Sequence, residues 1–200
     1  MKHLVVISPE VTVENETATV NALFDEGLQY FHLRKPYFTT TEQEHYLSEI
    51  EPQYLKNVAL HQHHTVNGNN QITRFHFKEH ERLKQKGNEL RLNKKQGMYF
   101  STSLHDADEI NTLTPLWDYV FLGPVFSSIS KPGYENKVLE TLVLEKKHSP
   151  EIFALGGISP DNAGSILNKG YDGIAVLGAI WLNPGRALET FKSLQKICCN

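Results

Sequence analysis

The sequence predicts a single (β/α)8 barrel, and three observations carry that expectation. Short apolar runs alternate with helix-like segments along the whole chain, the pattern of a parallel sheet whose crossovers are helices. The last quarter holds two such units in succession, Phe153-Ala-Leu-Gly-Gly-Ile-Ser-Pro-Asp161 and Tyr171-Asp-Gly-Ile-Ala-Val-Leu-Gly-Ala-Ile180, each an apolar run that ends in glycine and gives way to helix-like sequence. At 200 residues the chain can bury one substantial core but rarely two, so one domain covering 1–200 is expected. An open doubly wound sheet is the structural rival.

Residues 4–7 read as a buried strand closed by Pro9, and 17–26 as a helix ended by Gly27 with Val20, Leu23 and Phe24 on one face. The second strand, 30–34, stops before Pro36. The helix after it covers 41–50, is capped by Thr40 or Thr41, and ends before Pro52. Residues 57–60 give a third strand and 71–77 a fourth, with Ile72, Phe75 and Phe77 as its apolar content. The polar stretch 78–97 reads as a solvated helix or long loop. Then come a strand at 98–101, a helix at 106–113, a strongly apolar strand at 117–123 and a helix at 139–147. The two glycine units follow, with strands at 152–155 and 174–177, and a last helix at 185–196.

Composition narrows the function classes. With 40% hydrophobic and 22% charged residues and a formal net charge of -3, the chain resembles an ordinary enzyme and gives no sign of a nucleic-acid partner. The apolar runs are too short for a signal-peptide core or a membrane span. Its cysteines, Cys198 and Cys199, sit side by side in a stretch read as an inert frayed end, which implies no disulfide framework and a reducing, cytoplasmic compartment.

In a barrel of this kind the residues following each strand share one rim. Collected there are His32-Leu-Arg34-Lys35, then His61-Gln-His63-His64, His76-Phe-Lys78-Glu79, Ser101-Thr-Ser-Leu-His105 and Gly123-Pro-Val-Phe-Ser-Ser-Ile-Ser-Lys131. Cations, hydroxyls and two glycine corners suit phosphate groups, with Arg34 as a bidentate fork and Lys131 as a point charge. At Gly157 and Gly178 a backbone without Cβ lets main-chain N–H groups approach an anion, and the following helix start adds its dipole. His61, His63 and His64 admit a transition-metal site, but with no carboxylate or cysteine beside them a solvated strand end is the preferred reading. His32 is divided between a substrate contact and a residue held by a structural hydrogen bond.

At these residues the chain resembles the thiamine phosphate synthase superfamily, which also contains thiazole tautomerases. The resemblance is carried by His32-Leu-Arg34, Ser103-Leu-His105, the long run from Asp118 through Gly123-Pro-Val-Phe-Ser-Ser-Ile-Ser-Lys131 to Pro132, Ala154-Leu-Gly-Gly-Ile-Ser-Pro-Asp-Asn162 and Ala175-Val-Leu-Gly-Ala-Ile180. It implies a TIM barrel that joins an aminopyrimidine pyrophosphate to a thiazole phosphate, releasing pyrophosphate and forming thiamine phosphate. It further implies Mg²⁺, with Arg34, Lys131, Ser128 and Ser130 stabilising the departing pyrophosphate. Gly157, Gly178 and Ala179 would hold the thiazole phosphate, while His32, His61 and Ser103 would face substrate. Barrels of this kind often dimerise, so a homodimer is expected. A thiazole phosphate tautomerase-like isomerase is the enzymatic alternative, and a phosphate-ligand-binding protein that kept the cup without the chemistry is the non-enzymatic one.

Several positions depart from the family pattern. His32 stands for a glutamine, Pro36 for a lysine, and His61-Gln62 for an Asn-Asp pair after the third strand. That exchange removes a hard oxygen ligand of Mg²⁺ and puts imidazole in its place; the second metal aspartate falls on Glu81. Pro124 occupies the site of the tautomerase histidine, which argues against that chemistry by the usual residue. His61, His63 and His105 remain as proton-shuttle candidates. Lys35 adjoins the position of the missing lysine but points to the other face of an extended chain.

Overall fold

Eight strands pair in chain order, every neighbour parallel, and the last closes on the first. The computed structural model describes residues 2–64, 71–84, 94–126, 137–144 and 150–199. The strands are β1 (His3–Ile7), β2 (Tyr30–Leu33), β3 (Val58–Leu60), β4 (Arg74–Phe77), β5 (Tyr99–Leu104), β6 (Tyr119–Leu122), β7 (Glu151–Leu155) and β8 (Gly173–Val176). Helices α1 (Glu16–Asp25), α2 (Thr40–Ser48), α3 (Glu79–Lys84), α4 (Lys137–Thr141) and α5 (Pro160–Leu167) lie in crossovers, α6 (Gly178–Trp181) and α7 (Ala187–Cys199) follow β8, and 3-10 turns lie at Pro52–Asn57, Ala107–Thr112 and Pro184–Arg186. This is the expected (β/α)8 barrel. Among the described residues no helix is long and apolar enough to cross a membrane.

Strand alternation sorts the side chains into two layers. Leu4, Val6, Phe31, Leu33, Val58, Leu60, Val120, Leu122, Ile152, Ala154, Ile174 and Val176 point outward into the main core, where Val20, Leu23 and Phe24 of α1 meet them as expected. The alternate residues fill the bore. Val5, Ile7, Tyr119, Phe121, Phe153 and Ala175 form the apolar part of that filling. His32, His61, His76, Ser101 and Thr102 are also buried, and all but Thr102 lie on the alternation opposite to the outer core. The bore is therefore apolar along β6, β7, β8 and β1 and polar along β2 to β5, with the Tyr119 hydroxyl reaching the polar side. At its lower end the Arg74 guanidinium lies 4.5 Å from the Tyr30 ring centre and 4.2 Å from that of Tyr99, a cation–π plug.

Several boundaries differ from expectation for identifiable reasons. β5 runs to Leu104 rather than ending at 101, because Ser101 and Ser103 face a polar bore and so break the apolar pattern. The segment expected as a helix at 106–113 is a 3-10 turn opened by the Asp106 side chain, which accepts from Asp108 N–H at 2.9 Å. α2 starts one residue earlier than expected, since Thr39 is the cap and Glu42 reaches back to it in a capping box. The helix expected at 139–147 appears as α4; residues 145–149 fall outside the described residues. Cys198 is no frayed end: α7 continues through it, its thiol is buried, and that burial pushes its pKa up to about 11.

Behind the rim, Lys35 leaves the sheet on the outer side, as its place in the alternation requires. Its ammonium donates to Glu16 Oε2 at 2.7 Å, and Tyr46 Oη donates to Glu16 Oε1 at 2.8 Å, with both members of the ion pair shut off from water. Burial lowers the lysine pKa while Glu16 pulls it back up.

Candidate active site

Six bore side chains from five adjacent strands form a continuous hydrogen-bonded chain. His61 Nε2 and His32 Nδ1 share a proton across 2.9 Å, and His32 Nε2 meets the Tyr119 hydroxyl at 2.7 Å. Tyr119 is also hydrogen-bonded to Ser101, whose hydroxyl lies 2.9 Å from His76 Nδ1; His76 Nε2 then reaches the Ser103 hydroxyl at 3.1 Å. The register explains the convergence: His32 pairs beside Ala59, His76 beside Ser101, and Ser101 beside Tyr119, so β2 to β6 each present a polar group at nearly one level.

This environment keeps the imidazoles neutral. Burial holds His32 and His61 well below the usual histidine value, reinforced for His32 by His76 and Arg74 and for His61 by His76, His32, Arg34 and His64. Burial, with His64, Arg34 and Lys78, brings His76 down to about 3. The same desolvation raises the Tyr119 phenol.

At the rim, the Arg34 backbone N–H donates to the Ser8 hydroxyl at 2.7 Å, and its guanidinium is paired with Glu10 while remaining 37% exposed. Its field depresses both His61 and His76. The neighbouring histidines diverge. His63 takes a positive φ of 48°, ending the strand alternation, and its Nε2 donates to Phe38 O at 2.7 Å. His64 packs on Phe75 and Phe77 with centroid distances of 5.5 and 4.7 Å. His105 Nδ1 donates to Gly123 O at 2.9 Å. Of the three proton-shuttle candidates, only His61 joins the bore group. The preference for a solvated strand end is corrected at His61, which is 5% exposed.

The glycine corners lie on adjacent strands. Leu155 pairs with Ala175, and Gly157 and Gly178 each follow their strand, β7 or β8, by two residues at the same end of the barrel. Among the described residues, no group accepts from the N–H of Gly157, Gly178 or Ala179. Gly157 has φ 64°, and its carbonyl is turned back to accept from Asn162 Nδ2 at 2.9 Å. Gly156 is sterically obligatory: at φ 104° a Cβ would lie 2.7 Å from Pro124 Cα. Gly156→Ala is therefore expected to cost about 1–3 kcal/mol in a urea melt, and a loss within 0.5 kcal/mol would contradict this contact. Pro124, where the tautomerase histidine would stand, thus serves to brace the glycine corner.

Ser128, Ser130 and Lys131 lie outside the described residues. The expected Mg²⁺ ligands do not assemble among those described. Gln62 Nε2 turns away from the bore to donate to Lys35 O and Phe38 O, and Glu81 Oε2 accepts from Lys78 N–H at 2.7 Å, capping α3. One capped carboxylate beside imidazoles does not make the hard-oxygen set that Mg²⁺ demands. The sequence reading missed His76, Ser101 and Tyr119 as partners of His32 and His61. Their signal is polar side chains at alternate positions of β4, β5 and β6, legible only once register is known.

The family model described as thiamine monophosphate synthase matches residues 4–180, from β1 through both glycine corners. The chain belongs to that family. Among curated relatives, the thiamine-phosphate synthase of Anoxybacillus flavithermus is 34% identical over 87 residues, which is 41% of this chain and 40% of that protein. The thiamine-phosphate synthase of Staphylococcus carnosus is 32% identical over 108 residues, 52% of this chain and 50% of that one. The matched stretches thus span half or less of these relatives' lengths. Among solved structures, thiamine phosphate pyrophosphorylase from Bacteroides thetaiotaomicron superposes with a TM-score of 0.74 at 25% identity, covering 98% of this chain and 96% of that one. The Pyrococcus furiosus thiamine phosphate pyrophosphorylase, at TM-score 0.73 and 19% identity over 98% and 95%, shares the fold. The matched residues include Arg34, the histidine group of the bore and both glycine corners.

Proposed function

We propose that this chain is a transferase of thiamine phosphate synthase type, coupling an aminopyrimidine pyrophosphate to a thiazole phosphate in thiamine biosynthesis and releasing pyrophosphate. The observation that carries the reading is the family match across residues 4–180, with the paired glycine corners and Arg34 kept at one end of the barrel. In this reaction the carbon–oxygen bond to pyrophosphate breaks, and the thiazole nitrogen supplies the electron pair for the new carbon–nitrogen bond. Charge grows on the departing oxygens, so the main catalytic demand is a fixed cation at the leaving group.

Arg34 answers that demand. Its half-exposed pair with Glu10 is worth little in water, so a pyrophosphate can take the guanidinium from the carboxylate. Lys131 with the Ser128 and Ser130 hydroxyls is proposed to complete the grip. The N–H groups of Gly157, Gly178 and Ala179 hold the thiazole phosphate, and Ser103, half-buried at the upper end of the histidine chain, faces the pyrimidine. The free adjacent thiols at Cys198 and Cys199 fit a reducing compartment, and we place the enzyme in the cytoplasm.

The test is to incubate the purified protein with both substrates, with and without Mg²⁺, and to follow thiamine phosphate. Arg34→Ala is expected to lower kcat/KM by about 10²-fold or more with unchanged melting temperature. Unchanged turnover would remove Arg34 from the mechanism. If no product forms while thiazole phosphate still raises the melting temperature, the chain is a binding homologue instead.

A further inference from the structure

We propose that His32, His61 and His76 form a site for one divalent transition ion of the Zn²⁺ class, leaving a coordination position for water or a substrate oxygen. The three side chains rise from β2, β3 and β4, and one ring nitrogen from each lies within 4.8 Å of the others. All are buried. Imidazole nitrogen is a ligand for borderline ions and a poor one for Mg²⁺, so this donor set selects against the metal that hard oxygens would take.

The surroundings supply what such ligands need. A ligating histidine usually donates its second N–H to a fixed oxygen, which sets its tautomer and aim. His32 Nε2 has the Tyr119 hydroxyl at 2.7 Å and His76 Nδ1 the Ser101 hydroxyl at 2.9 Å, leaving His32 Nδ1 and His76 Nε2 as the donors to metal. His61 Nε2 is the third, already 2.9 Å from His32 Nδ1; two nitrogens on a tetrahedral Zn²⁺ stand about 3.3 Å apart, so the pair opens only slightly. The rings of His61 and His76 are stacked at 4.1 Å with 22° between planes, and loading turns them so that their lone pairs converge. The Ser103 hydroxyl, 3.1 Å from His76 Nε2, leaves that nitrogen as the ion enters. Three protein ligands with a fourth position free is the arrangement of a reactive rather than a purely structural Zn²⁺ site. This inference rests on the histidine geometry and does not depend on the synthase reading.

The experiment is a titration of chelator-treated, refolded-checked protein with Co²⁺, a spectroscopic stand-in for Zn²⁺. One equivalent per chain is expected to bind with the visible absorption of a four-coordinate, nitrogen-ligated ion. Zn²⁺ should abolish that spectrum, and about a thousand-fold excess of Mg²⁺ should leave it intact. His76→Gln and His61→Gln, each with a circular dichroism spectrum matching the parent, are expected to weaken binding by at least about 10-fold. Absence of the absorption in folded parent protein would overturn the site and leave the six side chains as a hydrogen-bonded network only. Unchanged affinity in both variants would overturn it as well, by placing the ion elsewhere. Neither result depends on turnover, so failure here and failure of the synthase reading are separable.

Discussion

Lowering the pH from 7 to 5 is expected to destabilise the metal-free protein, with His76 alone removing about 2 kcal/mol of unfolding free energy. His32, His61 and His76 are held neutral when folded, with burial as the first cause in each, and His76 is brought down to about 3. In the unfolded chain each returns to an ordinary value of about 6.5. A depressed histidine pKa means that between the folded and unfolded values the unfolded chain binds more protons. Stability therefore rises with pH through that window and is fully present above about 6.5. For His76, integrating from 7 to 5 between about 6.5 unfolded and about 3 folded gives about 2 kcal/mol, and His32 and His61, lowered in the same direction, add to it. That is a large fraction of the stability of an ordinary domain. The cations facing the group are Arg34, Arg74 and Lys78, and their fields act in the same direction as burial. Urea melts between pH 5 and 7.5 in the presence of chelator measure it. His76→Gln should flatten the dependence by about one proton, and a flat profile in the parent would mean that the bore admits the charged imidazoles at little cost.

The second large effect is expected at the ion pair on the outer face of the barrel. Lys35→Met should cost about 3–5 kcal/mol, because it leaves the Glu16 carboxylate buried without its cation. Glu16 would keep the Tyr46 hydroxyl and the Val13 N–H at 3.1 Å, which are neutral donors and do not balance its charge. The double variant Lys35→Met with Glu16→Gln removes both charges and should recover much of the loss, since a buried pair is far costlier to break than to replace. Denaturant titration of the parent, the two single variants and the double variant gives the coupling energy. A Lys35→Met loss below about 1 kcal/mol would show that water reaches Glu16. Turnover in the double variant should match the parent, because this pair is directed toward α1 and α2 rather than the rim.

The order and type of the barrel elements could be read from the chain because they are local. Apolar runs such as Val120 to Leu122 and Ile152 to Ala154 are continuous only where both faces of a strand are covered, and glycine at 156, 157 and 178 marks where the backbone must turn. The same local logic placed Arg34 at the rim and Lys35 behind it. It failed at β5, where Ser101 and Ser103 looked like the end of a strand because nothing local says that the bore there is polar.

The candidate site divides in the same way. Composition and motif spacing determined a parallel barrel with two neighbouring glycine corners and a cation at the end of the second strand. Only the tertiary structure decided that His61 turns inward while His63 and His64 do not, and that His76 and Tyr119, remote in sequence, complete its surroundings. The reason is register: whether a side chain on one strand meets its counterpart on the next depends on how closure staggers eight strands, a property of the whole sheet that no single strand encodes.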